Sequence, residues 1–149
     1  MGLINKKYGK LFQKHLLEQY KMYVKTSTDV TSNRLETNKF FLTLNSTIFG
    51  IAGLITMLNN SFIILLFSII GVMVSLVWLK NILSYKELNC AKFKVIHELE
   101  NYLPASLFKT EEKHYLNSYH TLTSIEKFIP IAFIILYISL SILSLLQII

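Results

Sequence analysis

The chain has 149 residues, 52% of them hydrophobic, with a mean hydropathy of +0.46, too apolar for an ordinary soluble domain of this length. Its net charge of +6 is unevenly placed, with every charged residue outside the long apolar runs, which points to a membrane protein. The single cysteine, Cys90, excludes an intrachain disulfide and a cysteine metal cluster, and reads as a small buried apolar residue.

Residues 1–39 form a basic segment with Lys6, Lys7, Lys10, Lys14, Lys21, Lys25, Arg34 and Lys39. Leu16, Tyr23 and Val30 recur at seven, and Tyr8, Leu11, Phe12, Tyr20 and Leu35 lie near the same stripe. This predicts an amphipathic helix over 5–38, capped by Asn5. Thr26 to Asn33 is rich in β-branched and short polar residues, which are poor helix formers. No Gly or Pro interrupts it, so the helix is expected to continue. The segment lacks the apolar core of a signal peptide. Its tyrosines interleave with lysines at helical spacing, the pattern of a packing stripe rather than of a base-stacking surface, so no nucleic-acid partner is expected.

Between Lys39 and Lys80 there is no charged residue. Residues 40–58 and 61–79 each cover about 19 positions, roughly 28 Å of helix, enough to cross a bilayer. Asn59-Asn60 separates them, so 40–79 reads as a transmembrane hairpin. The first span is polar near its start, at Thr43, Asn45, Ser46 and Thr47, with Gly50 and Gly53 after it. Ser46-x-x-x-Gly50 and Gly71-x-x-x-Ser75 are pairs that let helices approach closely. Asn45, Ser46 and Thr47 either serve that packing or line a polar path, because an Asn in hydrocarbon needs a partner or water.

Beyond Trp78 the helix is expected to run on to Leu103, with Ile82, Leu88, Val95, Leu99 and Tyr102 as its apolar stripe, joined by Tyr85 and Phe93, and Pro104 as its stop. Both amphipathic stripes emerge from one hairpin, which predicts an antiparallel cytosolic helical stalk. Thr110, followed by Glu111-Glu112, reads as the cap of a short helix ending near His120. Thr123-Ser124-Ile125-Glu126 matches a capping box. It opens a last helix in which 128–149 is uncharged and long enough to span, with Pro130 one turn inside.

The fold class expected is thus an all-α membrane protein: segment 1–39, hairpin 40–79, cytosolic segment 80–127 and third span 128–149. All fifteen basic residues lie in 1–39 and 80–127. The positive-inside rule then puts the N-terminus in the cytosol and the C-terminus outside.

No catalytic motif emerges. His97-Glu98-Leu99-Glu100-Asn101 begins like a zinc-protease helix, but Asn101 stands where the second histidine is required. Lys94 and Glu98 read instead as a surface pair one turn apart. His15, His97, His114 and His120 share no ligand spacing. Neither a metal, a cofactor nor an enzymatic activity is expected.

Two stretches carry a resemblance. One is Tyr85-Lys86-x-Leu88-Asn89-x-x-Lys92-Phe93-x-Val95-Ile96-x-x-Leu99-Glu100-x-x-Leu103-Pro104; the other is Tyr119-x-x-Leu122-Thr123-x-x-Glu126-x-x-Ile129-Pro130. Together with the basic helix and hairpin they resemble a family of small bacterial integral membrane proteins. The organisation of residues 1–103 is also similar to SLATT-type membrane effectors of bacterial conflict systems, to which the third span is an addition. That resemblance implies a non-enzymatic membrane effector or pore-forming subunit of the inner membrane, acting in anti-phage defence. It would work as a homo-oligomer in the lipid bilayer, gated by a cytosolic signalling partner. A membrane scaffold that tethers a soluble protein is the alternative.

Overall fold

A computed structural model describes residues 8–57, 60–115 and 122–148. The Asn5 cap, Asn59 of the turn, and His120 with the end of the short helix lie outside the described residues. All regular structure among the described residues is helical: α1 Phe12–Thr56, α2 Ser61–Glu100, α3 Leu107–Tyr115 and α4 Leu122–Ile148.

The local chemistry accounts for these boundaries. α1 begins after a turn in which the Phe12 N–H donates to the Gly9 carbonyl at 3.1 Å. It passes unbroken through Thr26–Asn33, where Thr26, Thr28 and Thr31 donate their hydroxyls to the carbonyls of Tyr23, Val24 and Ser27. Side chains that could compete for the backbone are turned onto the preceding turn instead. Asn60 caps α2, its Oδ1 accepting from the Ile63 N–H at 3.3 Å and its carbonyl from that of Ile64 at 3.2 Å. α2 ends three residues before the expected Leu103. Tighter bonds from the N–H groups of Asn101, Tyr102 and Leu103 to the carbonyls of Glu98, Leu99 and Glu100 close its last turn ahead of Pro104.

Two boundaries differ from the sequence expectation. α3 starts at Leu107, so Thr110 lies within the helix and bonds back to the Ser106 carbonyl. Its first turn is satisfied from elsewhere in the chain, as described below. α4 starts at Leu122, so Thr123 sits inside the first turn and not at the cap.

Contacts divide the chain into two compact units, Met1–Asn33 with Tyr85–Tyr119, and Arg34–Ser84 with His120–Ile149. In the second unit α1, α2 and α4 pack together. The buried face of α2 is Ile64, Ser68, Gly71, Ser75, Trp78 and Ile82, alternating steps of four and three. That is the seam spacing of helices crossing at a shallow left-handed angle. Trp78 stacks on Phe41 with ring centroids 6.0 Å apart, and with Ile82, Val74 and Phe133 forms the apolar cluster. Tyr137 of α4 is fully buried and lies flat on Gly71, where an added Cβ would overlap its ring.

The outward faces are apolar and uncovered. α1, α2 and α4 are each long and apolar enough to cross a membrane, yet at most 28% of any one's most apolar window is buried. A helix that apolar and that exposed needs lipid or further protein around it.

In the first unit the two helices run in opposite directions. Tyr20 meets Glu100, Thr26 meets Lys92, and Ser27 meets Asn89. Leu16, Ile96 and Leu99 are buried there, and Tyr23 and Val30 are half-buried. Lys92 Nζ sits 4.8 Å from the centre of the Tyr23 ring. The stripe on α2 differs from the apolar one expected. Leu88 and Tyr102 are exposed, as is Cys90; Tyr85 and Leu99 face inward as expected, and Asn89, Lys92 and Ile96 join them. The seam keeps its four–three spacing by accepting polar residues, which a search for apolar periodicity passes over.

The Gly71–Tyr137 contact makes a sharp prediction. Gly71→Ala should lower stability by about 1–3 kcal/mol, because a rigid ring and not a flexible chain end must move. Gly50→Ala, with nothing within 4 Å of its added Cβ, should leave the chain's own packing unchanged. Thermal unfolding of both variants in detergent checks this; equal midpoints would contradict it.

Candidate functional site

The polar residues of the spanning region are sorted to two sides of α1. Asn45 is fully buried among three helices. Its Nδ2 donates to the Phe41 carbonyl at 2.9 Å, and its Oδ1 accepts from Ser75 Oγ of α2 at 2.8 Å. Its backbone carbonyl accepts from Tyr137 Oη of α4 at 2.8 Å. One residue thus ties the three helices together. An unpaired amide in an apolar setting costs several kcal/mol, so each of these bonds is obligatory to the others.

Ser46 and Thr47 point the other way. They are exposed, together with Thr43, Gly50 and Gly53. Positions 43, 46, 47, 50 and 53 fall on one helical face, which no described residue covers at the glycines. Thr47 donates to the Thr43 carbonyl at 2.9 Å, leaving its oxygen able to accept from a further group. The structure therefore brings Asn45 together with Ser75, and Gly71 beneath Tyr137, while Ser46, Thr47, Gly50 and Gly53 form a separate outward strip.

Where the charges end, a second set of contacts appears. Arg34 is the chain's only arginine. Its Nε and Nη2 both donate to Glu126 Oε2, the first at 2.9 Å, and Nη2 also donates to Thr123 Oγ1 at 3.1 Å. The two side chains are 14% and 26% exposed, so the pair is partly shielded from water. Trp78 Nε1 donates to Asn38 Oδ1 at 2.9 Å. In the sequence Arg34 is one more positive charge, and Thr123–Glu126 matches a capping box. A lone arginine among lysines was the available signal, because a fork of donors suits a site that needs several bonds at once.

In the first unit the organising group is Glu100, a fully buried carboxylate. Oε1 accepts from Tyr20 Oη at 3.1 Å and from the Phe108 N–H at 2.9 Å, and Oε2 accepts from the Lys109 N–H at 3.0 Å. Glu100 thus supplies, from the end of α2, the cap that α3 lacks in its own sequence. The Tyr20 hydroxyl is pushed up to about 12, first by burial and then by its bond to, and the charge of, Glu100.

His97, the start of the failed zinc motif, has Nδ1 3.4 Å from Glu112 Oε2, while Nε2 is buried without a partner among the described residues. Glu98, Lys94 and His114 are exposed, and His15 bonds Tyr8 Oη at 2.6 Å. Among the described residues no three His, Cys, Asp or Glu side chains are placed to hold a metal.

Three outcomes test these networks. Glu100→Gln turns an amide N–H₂ toward a backbone N–H and should destabilise the first unit by about 1–3 kcal/mol. Arg34→Lys keeps the charge but loses the fork, and should also cost about 1–3 kcal/mol; unchanged unfolding midpoints would contradict either. A raised tyrosine pKa means the folded state holds its proton longer than the unfolded chain. The Tyr20 contribution is therefore complete below pH 10 and is lost as pH rises through about 12. Tyr20→Phe should remove that part of the alkaline loss in a helicity–pH titration.

Comparison with curated proteins and with solved structures gave no match. The family model described as "Octameric membrane protein family (8xMP)" matches residues 17–146, which cover most of the first candidate span, the whole of the other two, and Asn45, Arg34 and Glu100 with their partners. The chain is an integral membrane protein and belongs to the octameric membrane protein family.

Proposed function

We propose that the chain is the subunit of a homo-octameric, non-enzymatic assembly that forms a gated path through the bacterial inner membrane and serves as an effector in anti-phage defence. The observation that carries this reading is the outward strip of Thr43, Ser46, Thr47, Gly50 and Gly53 on a helix otherwise built for lipid. Hydroxyls and bare backbone gain nothing from hydrocarbon, but they suit close contact between copies and a water path along their axis. Asn45 supports the strip from behind by holding α1 to α2 and α4. The charge distribution favours a cytosolic N-terminus and an external C-terminus. α1 is one helix from Phe12 to Thr56, so a turn imposed on its basic half by a cytosolic signal would be carried to the strip.

A scaffold that tethers a soluble partner is the second reading. It is favoured by a cleft of about 340 Å³ in the first unit, walled by Phe93, His97, Phe108, Glu111 and Glu112.

Conduction separates the two. In a Cys90→Ser background, Ser46→Cys or Thr47→Cys should make flux through reconstituted protein sensitive to a membrane-impermeant thiol reagent, while Leu66→Cys on the apolar face should not. Absence of flux, or equal insensitivity at all three positions, would remove the conducting reading. A reporter fused after Ile149 should be found on the outer side of the inner membrane, and a cytosolic signal would overturn the three-span topology.

A further inference from the structure

At the charged end of the second unit a groove of about 230 Å³ opens among α1, α2 and α4. Its walls are Asn38, Lys39 and Leu42 of α1, Trp78 of α2, and Glu126 and Ile129 of α4. It lies where charge gives way to hydrocarbon on every helix, since Lys39, Lys80 and Lys127 are the last charges before the uncharged runs. Trp78 is of the type that favours such a boundary.

The polar members of the groove are already engaged, with one exception. Asn38 accepts from Trp78, and Glu126 is neutralised by Arg34. Lys39 is exposed and has neither a hydrogen bond nor an ion pair among the described residues. Beside it, Leu42 and Ile129 are 42% and 40% exposed and lead the groove toward the apolar faces. An unpaired ammonium at the mouth of an apolar slot, at headgroup level, matches an amphiphile with an anionic head and a hydrocarbon tail.

We propose that this groove binds an anionic phospholipid, its phosphate on Lys39 Nζ and the first methylenes of an acyl chain along Leu42 and Ile129. The neutralised Glu126 does not repel the phosphate, and a zwitterionic lipid would bring no net charge to Lys39. Bound there, the lipid touches all three helices of the unit.

Native mass spectrometry of the full chain tests this, after exchange into micelles doped with phosphatidylglycerol or with phosphatidylcholine of the same acyl chains. Phosphatidylglycerol should be retained in preference. Lys39→Gln should lower its retention about fivefold, the scale expected for one basic residue near an anionic surface. Ile129→Trp should lower retention by filling the slot with the charge intact, which keeps the test open should one variant fold poorly. Lys80→Gln, outside the groove, should have little effect. Equal retention of the two lipids, or equal losses for Lys39→Gln and Lys80→Gln, would overturn the proposal. So would full displacement by inorganic phosphate, which would mark a simple anion site. Loss of oligomer mass without loss of lipid in Ile129→Trp would mean that a second copy fills the groove, and would overturn it too.

Discussion

The second unit depends on the bonds that converge on Asn45. In hydrocarbon, helices have little hydrophobic reason to prefer each other to lipid, so packing and interhelical hydrogen bonds must hold them. Asn45 supplies both. Its side chain reaches Ser75 on α2, and its carbonyl takes the Tyr137 hydroxyl from α4. The Tyr137 ring in turn requires Gly71, because no larger residue leaves room for it. Ser144 extends the same logic to the far end of the bundle, donating to the Ser61 carbonyl.

The same rule, that a shielded polar group needs its partners, shapes the charged parts. Glu100 is a buried anion made tolerable by three donors, two of them the otherwise unpaired N–H groups of α3. Arg34 closes the region where α1 and α4 leave their uncharged runs, with Glu126 and Thr123 as its acceptors. Glu100 and the Arg34–Glu126 pair thus each link separate parts of the chain within their own unit.

What is left unoccupied has a different character. The strip from Thr43 to Gly53 faces away from the chain's own packing, and Lys39 borders an apolar groove without a partner among the described residues. A chain of the octameric membrane protein family has to present surfaces to its copies and to lipid, and these two features have the chemistry for such contacts. Their separation on α1 allows one helix to serve the interior, the lipid boundary and the outward strip on three faces.

Much of the fold was legible in the sequence because its signals are one-dimensional. The length of the uncharged runs and the continuity of helix through Thr26–Asn33 follow from composition and from the absence of Gly and Pro. The small-residue pairs and the polarity near Asn45 were visible too. Which of those residues face inward was not, because Asn45, Ser46 and Thr47 are consecutive and only packing against Ser75 and Tyr137 chooses the face. Periodicity misplaced part of the stripe on α2, as the real seam admits Asn89 and Lys92, which find partners in Ser27 and Thr26. The start of α3 could not be read locally, since its cap is Glu100, eight and nine residues away from the N–H groups it satisfies. Arg34 and Glu126 are 92 residues apart, and no local pattern joins them. Hydrophobic length is a property of the chain and settles where helices form. Satisfaction of buried polar groups is a property of neighbours in space, and only the tertiary structure decides it.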